Sequence, residues 1–260
     1  MLVVISPAKR LDWDGAGPAE TEPAFLKEAA TLAGHARQLS LARLKALMAL
    51  SDDLARLNRD RFRDYQAAPG PERTRAAVEV FAGDTYRGLE AATLDGDARR
   101  WAQDHLRILS GLYGVLRPDD AIQPYRLEMG SRLKSRRGAS LYAFWGDRIA
   151  RSLRADAEAA GTGILLNCAS QEYFGAVDSK ALGLAVITPV FLEERNGAAR
   201  TVSFFAKQAR GAMARFVMET RAQTADDLAG FQSGGYRLDR ARSSSDVPVF
   251  IRDHPETAAA

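Results

Sequence analysis

Ala185-Val-Ile-Thr-Pro-Val-Phe-Leu-Glu193, Glu194-Arg-Asn-Gly-Ala-Ala-Arg200 and Thr201-Val-Ser-Phe-Phe205 run consecutively and mark the strand-rich part of the chain. The two outer runs are rich in β-branched and aromatic residues, which suit a pleated, half-buried strand. Asn196-Gly197 between them is the dipeptide favoured in a tight hairpin, because both central residues of a type I′ turn need positive φ. The runs are therefore predicted to be antiparallel neighbours. Working outward, Ile164-Leu-Leu-Asn167 reads as a strand before them and Val247-Pro-Val-Phe-Ile251 as a closing strand after them. Met1-Leu-Val-Val-Ile5 opens the chain as a further strand.

Most of the first 160 residues read as helix instead. Ala24–Leu39 and Leu41–Leu50 carry apolar residues at intervals of three and four, with Ser40 and Ser51 as candidate N-caps. Asp52 and Asp53 suit the positive end of the helix that continues through Leu54, Leu57 and Phe62. Pro71 sits where a first-turn proline belongs, ahead of a helix through Val78 and Phe81 that stops at Gly83. Asp97–Leu109, containing Trp101, His105 and Ile108, is expected to be an amphipathic helix ending at Ser110-Gly111. Asp147–Ala160 is a further helix closed by Gly161. Lys207–Thr220 is a late one, and a short helix is capped by Thr224 with Asp227 three residues on. Segregated helices and strands predict α+β: a single compact domain over residues 1–252, with a mixed β-sheet surrounded by helices. Residues 253–260 are expected to form a disordered tail.

Composition excludes several classes of function. No apolar run approaches the roughly 20 residues of a membrane span, and the opening residues lack the basic and long apolar regions of a signal peptide. A cytoplasmic protein with no membrane partner is expected. Cys168 is the sole cysteine, which rules out an internal disulfide and a thiolate-rich metal site. His35, His105 and His254 are far apart in sequence, so neither metal nor cofactor is expected, and a monomer is the expected state. Six of the 36 basic residues are lysine and the rest arginine, while the net charge is only +3. Arginine-rich coding produces this bias, and so does selection for phosphate and carboxylate binding. Clustering is more informative: Arg99–Arg137 and Arg195–Arg221 each carry a net +5, which predicts an uneven field over the surface.

Four segments combine polar side chains with backbone punctuation. Ser6-Pro-Ala-Lys9, followed by Asp12, leaves the end of the opening strand, where sites commonly form. It suits a phosphate or carboxylate ligand, or a solvated turn. Leu109-Ser-Gly-Leu-Tyr-Gly-Val-Leu-Arg-Pro118 reads as a helix entering a glycine turn. Backbone N–H groups at Gly111 and Gly114, with charge from Arg107 and Arg117, would grip a phosphate there. This is a helix-hairpin-helix-like element whose glycines are three apart where two is usual, and a plain helix C-cap is the alternative. Asn167-Cys-Ala-Ser-Gln-Glu-Tyr173 offers Asn167, Ser170 and Glu172 as ligand-orienting groups or as turn and cap side chains. In Lys207-Gln-Ala-Arg-Gly-Ala-Met-Ala-Arg215, Lys207, Arg210 and Arg221 share one helix face. Gly211 within it costs about 1 kcal/mol relative to Ala, which close approach of a partner would explain.

These segments resemble the YaaA peroxide-stress resistance proteins. So do Phe81-Ala-Gly-Asp-Thr-Tyr-Arg-Gly-Leu89, His105–Pro118, Pro124-Tyr-Arg-Leu-Glu-Met-Gly130, Leu141-Tyr-Ala-Phe-Trp-Gly-Asp147, Asn167–Phe174 and Lys207–Phe216. The resemblance runs in order from Met1 to about Phe250. It departs at Arg10, where the family usually has Thr, and at Cys168, where an aliphatic residue is usual. It implies a cytosolic protein induced by peroxide, linked to lower intracellular free iron and less oxidative DNA damage. It also implies a positively charged cleft and a helix-hairpin-helix element that bind duplex or branched DNA without sequence specificity.

Two readings follow. In the leading one the protein binds DNA and is not an enzyme. Lys9, Arg107, Arg117, Arg126, Arg132, Lys134, Arg136, Arg137, Lys207, Arg210 and Arg215 would meet phosphates, and the turn at Gly111 and Gly114 would present backbone donors. In the alternative, the protein is an enzyme acting on a small phosphorylated or nucleoside-like substrate. Its pocket would be built around Lys9, Asn167, Glu172 and Lys207, with Ser6 and Ser170 as further catalytic candidates and Arg210 beside them. A closed cavity away from the basic segments favours the second reading, and a groove continuous with Arg117 favours the first.

Overall fold

The structure, a computed structural model, describes residues 1–255; of the tail expected over 253–260, Asp253 instead ends a strand and His254 N–H donates to the Glu194 carbonyl at 2.8 Å, while residues 256–260 lie outside the described residues. Strand β1 (Leu2–Ile5) is buried along its whole length, as a central strand covered on both faces should be. The chain leaves it through Ser6-Pro7 into the two-residue strand β2 (Arg10–Leu11). Helix α1 (Leu26–Arg37) buries Ala29, Leu32, Ala33 and Ala36. Helices α2 (Leu41–Met48) and α3 (Asp52–Asp64) start as expected: Ser40 Oγ accepts from Arg43 N–H at 3.3 Å and Ser51 Oγ from Leu54 N–H at 3.4 Å.

The helix expected after Pro71 is broken up. Pro71 opens a 3₁₀ turn, followed by β3 (Arg75–Ala76), the one-turn α4 (Ala77–Val80) and β4 (Phe81–Ala82). Outside partners compete for its backbone: Ala77 and Val78 N–H donate to the carbonyls of Asp120 and Pro118, and β4 pairs with β2, Arg10 opposite Ala82. Helix α5 (Asp84–Leu89) follows, then α6 (Gly96–His105), capped by Asp95.

The helix expected to reach Leu109 stops at His105, and Leu106–Ser110 forms β5, which turns back into β6 (Gly114–Leu116). All five residues of β5 are buried. Apolar positions on both faces fit an inserted strand, whereas a surface helix would leave one face polar. The element expected to be helix-hairpin-helix-like is therefore a β-hairpin. Its glycines serve packing: a Cβ on Gly111 would overlap the Leu127 carbonyl, and one on Gly114, at φ +71°, would lie 2.8 Å from the Trp145 ring.

After β7 (Ala121–Ile122), which pairs with β3, come α7 (Leu141–Trp145) and α8 (Arg148–Ala159). Strand β8 (Ile164–Cys168) leads into the short helices α9 (Gln171–Phe174) and α10 (Ser179–Leu182). The run expected to be one strand over Ala185–Glu193 is split at Pro189, which has no N–H to give to a ladder. Its first part, β9 (Ala185–Ile187), and its second, β10 (Val190–Arg195), belong to different sheets. Asn196-Gly197 turns the chain at φ 53° and 75° into β11 (Ala198–Arg200), antiparallel to β10 as the hairpin signal predicts. Ser203–Phe205, expected as strand, is instead the first turn of α11 (Ser203–Thr220). Strands β12 (Arg237–Leu238) and β13 (Val249–Asp253) are the last among the described residues.

The α+β class holds, with the pairs β2-β4 and β3-β7 forming two small antiparallel ladders and, among the described residues, nine strands in two mixed sheets. The first has the order β6-β5-β1-β8-β9, in which β5, β1, β8 and β9 run parallel and β6 antiparallel. The second is β11-β10-β13-β12. Helix α11 packs against both, and against α5 most closely. A Cβ on Gly211 would overlap the Thr85 carbonyl, and one on Gly88 the Gln208 carbonyl. The partner that approaches Gly211 is thus α5 of the same chain. Arg221 takes a left-handed conformation at φ 58° and ends the helix, so it leaves the stripe that Lys207 and Arg210 continue.

Gly211→Ala is expected to lower unfolding free energy by roughly 1–3 kcal/mol, since overpacking outweighs the gain of about 1 kcal/mol in helix propensity. Urea denaturation of the two proteins reads the difference, and equal or higher stability of the variant would refute the glycine contact.

Candidate anion-binding cavity

Ile5 and Cys168 are register partners at the ends of the adjacent parallel strands β1 and β8. The loops that leave them open into a cavity of about 1130 Å³. The carboxyl ends of parallel strands are where open α/β sheets hold ligands. Ser6, Lys9 and Arg10 line the cavity from the first loop, and Cys168, Ser170 and Glu172 from the second. Thr85 and Tyr86 of α5 and Lys207 and Arg210 of α11 complete the wall used here. Chain segments distant in sequence thus bring together five of the six residues expected around a pocket: Ser6, Lys9, Ser170, Glu172 and Lys207, with Arg210 beside them.

Asn167 is the exception. It is 6% exposed, its Oδ1 accepts from Ala169 N–H at 3.0 Å, and its Nδ2 donates to Thr188 Oγ1 at 3.4 Å. It shapes the turn after β8 and does not face the cavity.

The two serines fasten the strand exits together. Ser6 Oγ accepts from Ser170 N–H at 2.9 Å and donates to Ser170 Oγ at 3.3 Å, while Tyr86 Oη donates to the Ser6 carbonyl at 3.2 Å. Neither serine has a basic side chain as hydrogen-bond partner, so the arrangement holds hydroxyls in place without activating one. Glu172 Oε1 accepts from Gly130 N–H at 2.9 Å. Burial pushes the Cys168 thiol up to about 12, against an opposing pull from Arg210, so it is a protonated wall residue and not a nucleophile.

Charges on the wall fall into two sets. Lys9 is paired with Glu128 at 2.9 Å, Arg87 with Asp84 at 3.7 Å and Arg99 with Glu79 at 2.6 Å. Arg10, Lys207 and Arg210 also line the cavity, and among the described residues none of the three makes an ion pair. Arginine and lysine left without carboxylates at a cavity wall are suited to holding an anionic ligand. Tyr86 and Thr85 escaped notice in the sequence as cavity residues, although both lie within the quoted run Phe81–Leu89.

The remaining cations expected to meet phosphates are dispersed. Arg107 is 2% exposed; its Nε donates to Asp156 at 2.7 Å and its Nη1 to the Gln103 and Leu106 carbonyls. It has no free face for a phosphate. Arg117 reaches Asp156 at 3.6 Å, on a helix that contributes nothing to the cavity lining. Arg126 is bound to Glu128 at 2.9 Å. Arg215 donates to the carbonyls of Leu89 and Glu90 at 3.2 and 2.9 Å and pairs with Glu219 at 2.8 Å, clamping the end of α5 to α11. Gly111 and Gly114 are buried. Arg132, Lys134, Arg136 and Arg137 are exposed on the loop before α7, Arg137 lying 3.5 Å from Glu28.

Among the described residues no group of three His, Cys, Asp or Glu side chains is placed to hold a metal ion, and no helix is long and apolar enough to cross a membrane. Fold and cavity together define a single-domain α+β protein with a cavity at the carboxyl ends of the parallel strands β1 and β8. The chain belongs to the peroxide stress protein YaaA family, whose profile matches residues 1–242. It is similar throughout to UPF0246 proteins. One from Ruegeria pomeroyi is 63% identical, the match covering 98% of this chain and 99% of the relative. One from Roseobacter denitrificans is 61% identical over 98% and 99%, and one from a Jannaschia species 56% identical over the full length of both.

Two outcomes test the side-chain assignments. Arg107→Ala leaves Asp156 without its buried partner and is expected to cost about 3–5 kcal/mol; a thermal melt close to that of the unaltered protein would contradict this. Burial also raises the phenols of Tyr86, Tyr113 and Tyr125, like the Cys168 thiol. The unfolded chain therefore gives up these protons at lower pH than the folded one. Stability from these groups is intact below about pH 9 and falls as pH rises above it. Melting temperatures across pH 8–11 measure the decline, and Cys168 should resist a thiol reagent until the protein unfolds.

Proposed function

We propose that this peroxide-stress family member works by binding a small phosphorylated or nucleoside-like ligand in the cavity, with Lys207 and Arg210 holding its anionic group. The observation that carries the reading is the pair itself. Two cations three residues apart on α11 line the cavity that Ser6 and Ser170 enter, and neither is engaged by a carboxylate among the described residues. A volume of about 1130 Å³ lies slightly above the roughly 300–1,000 Å³ typical of small-molecule sites, so it accommodates a nucleotide-sized molecule. Ser170, whose hydroxyl accepts from Ser6 and keeps its own hydrogen free, would donate a hydrogen bond to it. Binding without covalent chemistry is the role proposed, carried out by a cytoplasmic monomer without a resident cofactor. Peroxide resistance and the limiting of intracellular iron would then be consequences of the ligand-bound state.

A second reading rests on a separate observation. Arg132, Lys134 and Arg136 are exposed on one loop and make no ion pair among the described residues. Such a loop suits sequence-independent contact with the phosphates of DNA. It lies outside the cavity lining, so the two readings separate experimentally. In the first, calorimetric titration with orthophosphate and nucleoside monophosphates should show binding that Lys207→Ala/Arg210→Ala weakens by at least about tenfold. Arg132→Ala/Lys134→Ala/Arg136→Ala should retain it. In the second, the loop variant should reduce the slope of log affinity for duplex DNA against log salt by about 1 per lost contact. No measurable binding of any small phosphate would defeat the first reading, and an unchanged salt slope the second.

A further inference from the structure

Resting on the cavity reading above, we infer that the site is built for a diphosphate group, with Arg10 as the residue that selects it over a single phosphate. Lys9 and Arg10 are adjacent in the loop leaving β1, yet they are in different situations. The Lys9 ammonium is held at 2.9 Å by Glu128. Arg10 is fixed at the backbone by pairing opposite Ala82, its side chain lines the cavity, and it makes no ion pair among the described residues.

The carboxylates on the wall do not compensate it. Glu79 and Asp84 are paired with Arg99 and Arg87 at 2.6 and 3.7 Å, and Glu90 lies 4.0 Å from Arg215. The carboxylates Asp12 and Glu172 also bring negative charge, but their oxygens are oriented by the backbone N–H groups of Gly15 at 3.3 Å and Gly130 at 2.9 Å, and neither forms an ion pair with Arg10. Three cations from two separate walls, Arg10 on β2 and Lys207 with Arg210 on α11, are thus left to face the ligand. A phosphomonoester brings about two negative charges and satisfies the α11 pair. A diphosphate brings a further charge on a second phosphoryl group, and Arg10 supplies its partner. A guanidinium suits that role because its planar donors meet two phosphate oxygens at once.

The experiment is calorimetry on the full chain with inorganic pyrophosphate and orthophosphate in magnesium-free buffer. The intact protein is expected to bind pyrophosphate about tenfold tighter than orthophosphate. Arg10→Gln is expected to bring the ratio of the two affinities within about twofold, and Arg10→Lys to restore part of it. Arg240→Ala, an exposed arginine remote from the cavity lining, should leave the ratio as it is. Because the Arg10 side chain is exposed, these variants should fold, and a melting curve checks that they do. A ratio near one in the intact protein, or a ratio that Arg10→Gln does not change, overturns the inference. If orthophosphate still binds and Lys207→Ala/Arg210→Ala abolishes it, the cavity reading survives that failure. If neither anion binds the intact protein, both readings fall.

Discussion

The contact between α5 and α11 at Gly88 and Gly211 is the constraint on which the rest of the molecule depends. Two helices can bring their backbones together only where neither has a Cβ, and here a side chain at either position would collide with a carbonyl of the other helix. Arg215 closes the same crossing from the far end through the Leu89 and Glu90 carbonyls. Because α11 is held this close, its Lys207 and Arg210 line the space above β1 and β8 instead of lying on an outer face. The same helix packs against the first sheet at β1 and β8 and the second sheet at β10, so the joint that places the cations also unites the two sheets.

Electrostatics then separate structural from available charge. An arginine-rich chain suggests a phosphate-binding surface, yet many of its guanidinium groups are already occupied. Arg107 is buried against Asp156, and Arg252 lies 2.7 Å from Glu193, a carboxylate 1% exposed, with its guanidinium over the Phe205 and Tyr236 rings. A buried charge pair of this kind loses much if one partner is removed, so these arginines are retained by the fold itself. Among the cations that make no ion pair in the described residues, Arg10, Lys207 and Arg210 line the cavity and Arg132, Lys134 and Arg136 share the loop before α7.

Local signals were reliable where short-range chemistry decides structure. Ser40 and Ser51 cap their helices, Asn196-Gly197 turns its hairpin, and the apolar opening strand lies at the centre of a sheet. They failed where long-range partners compete. Leu106–Ser110 continues the periodicity of α6, but its residues are buried on both faces, and pairing with β1 and β6 converts them to strand. Asn167 reads as a ligand-orienting group and proves to bond its own turn, because Asx side chains satisfy nearby backbone equally well. Of the pocket residues, Ser6, Lys9, Ser170, Glu172 and Lys207 were legible as polar groups at strand exits and on a late helix.

The sequence by itself determined the α+β class, the absence of a membrane-spanning helix, the family, and the segments that carry polar chemistry. The family follows from the resemblance of its ordered motifs, and the rest from periodicity, caps, turn residues and composition, all of which act over a few neighbouring residues. Tertiary structure alone decided that the main strands divide between two sheets, that Gly111 and Gly114 pack inside a β-hairpin, and which cavity cations remain free. Such outcomes depend on which distant backbone or carboxylate reaches a group first. That competition is settled by packing, and no local pattern encodes it.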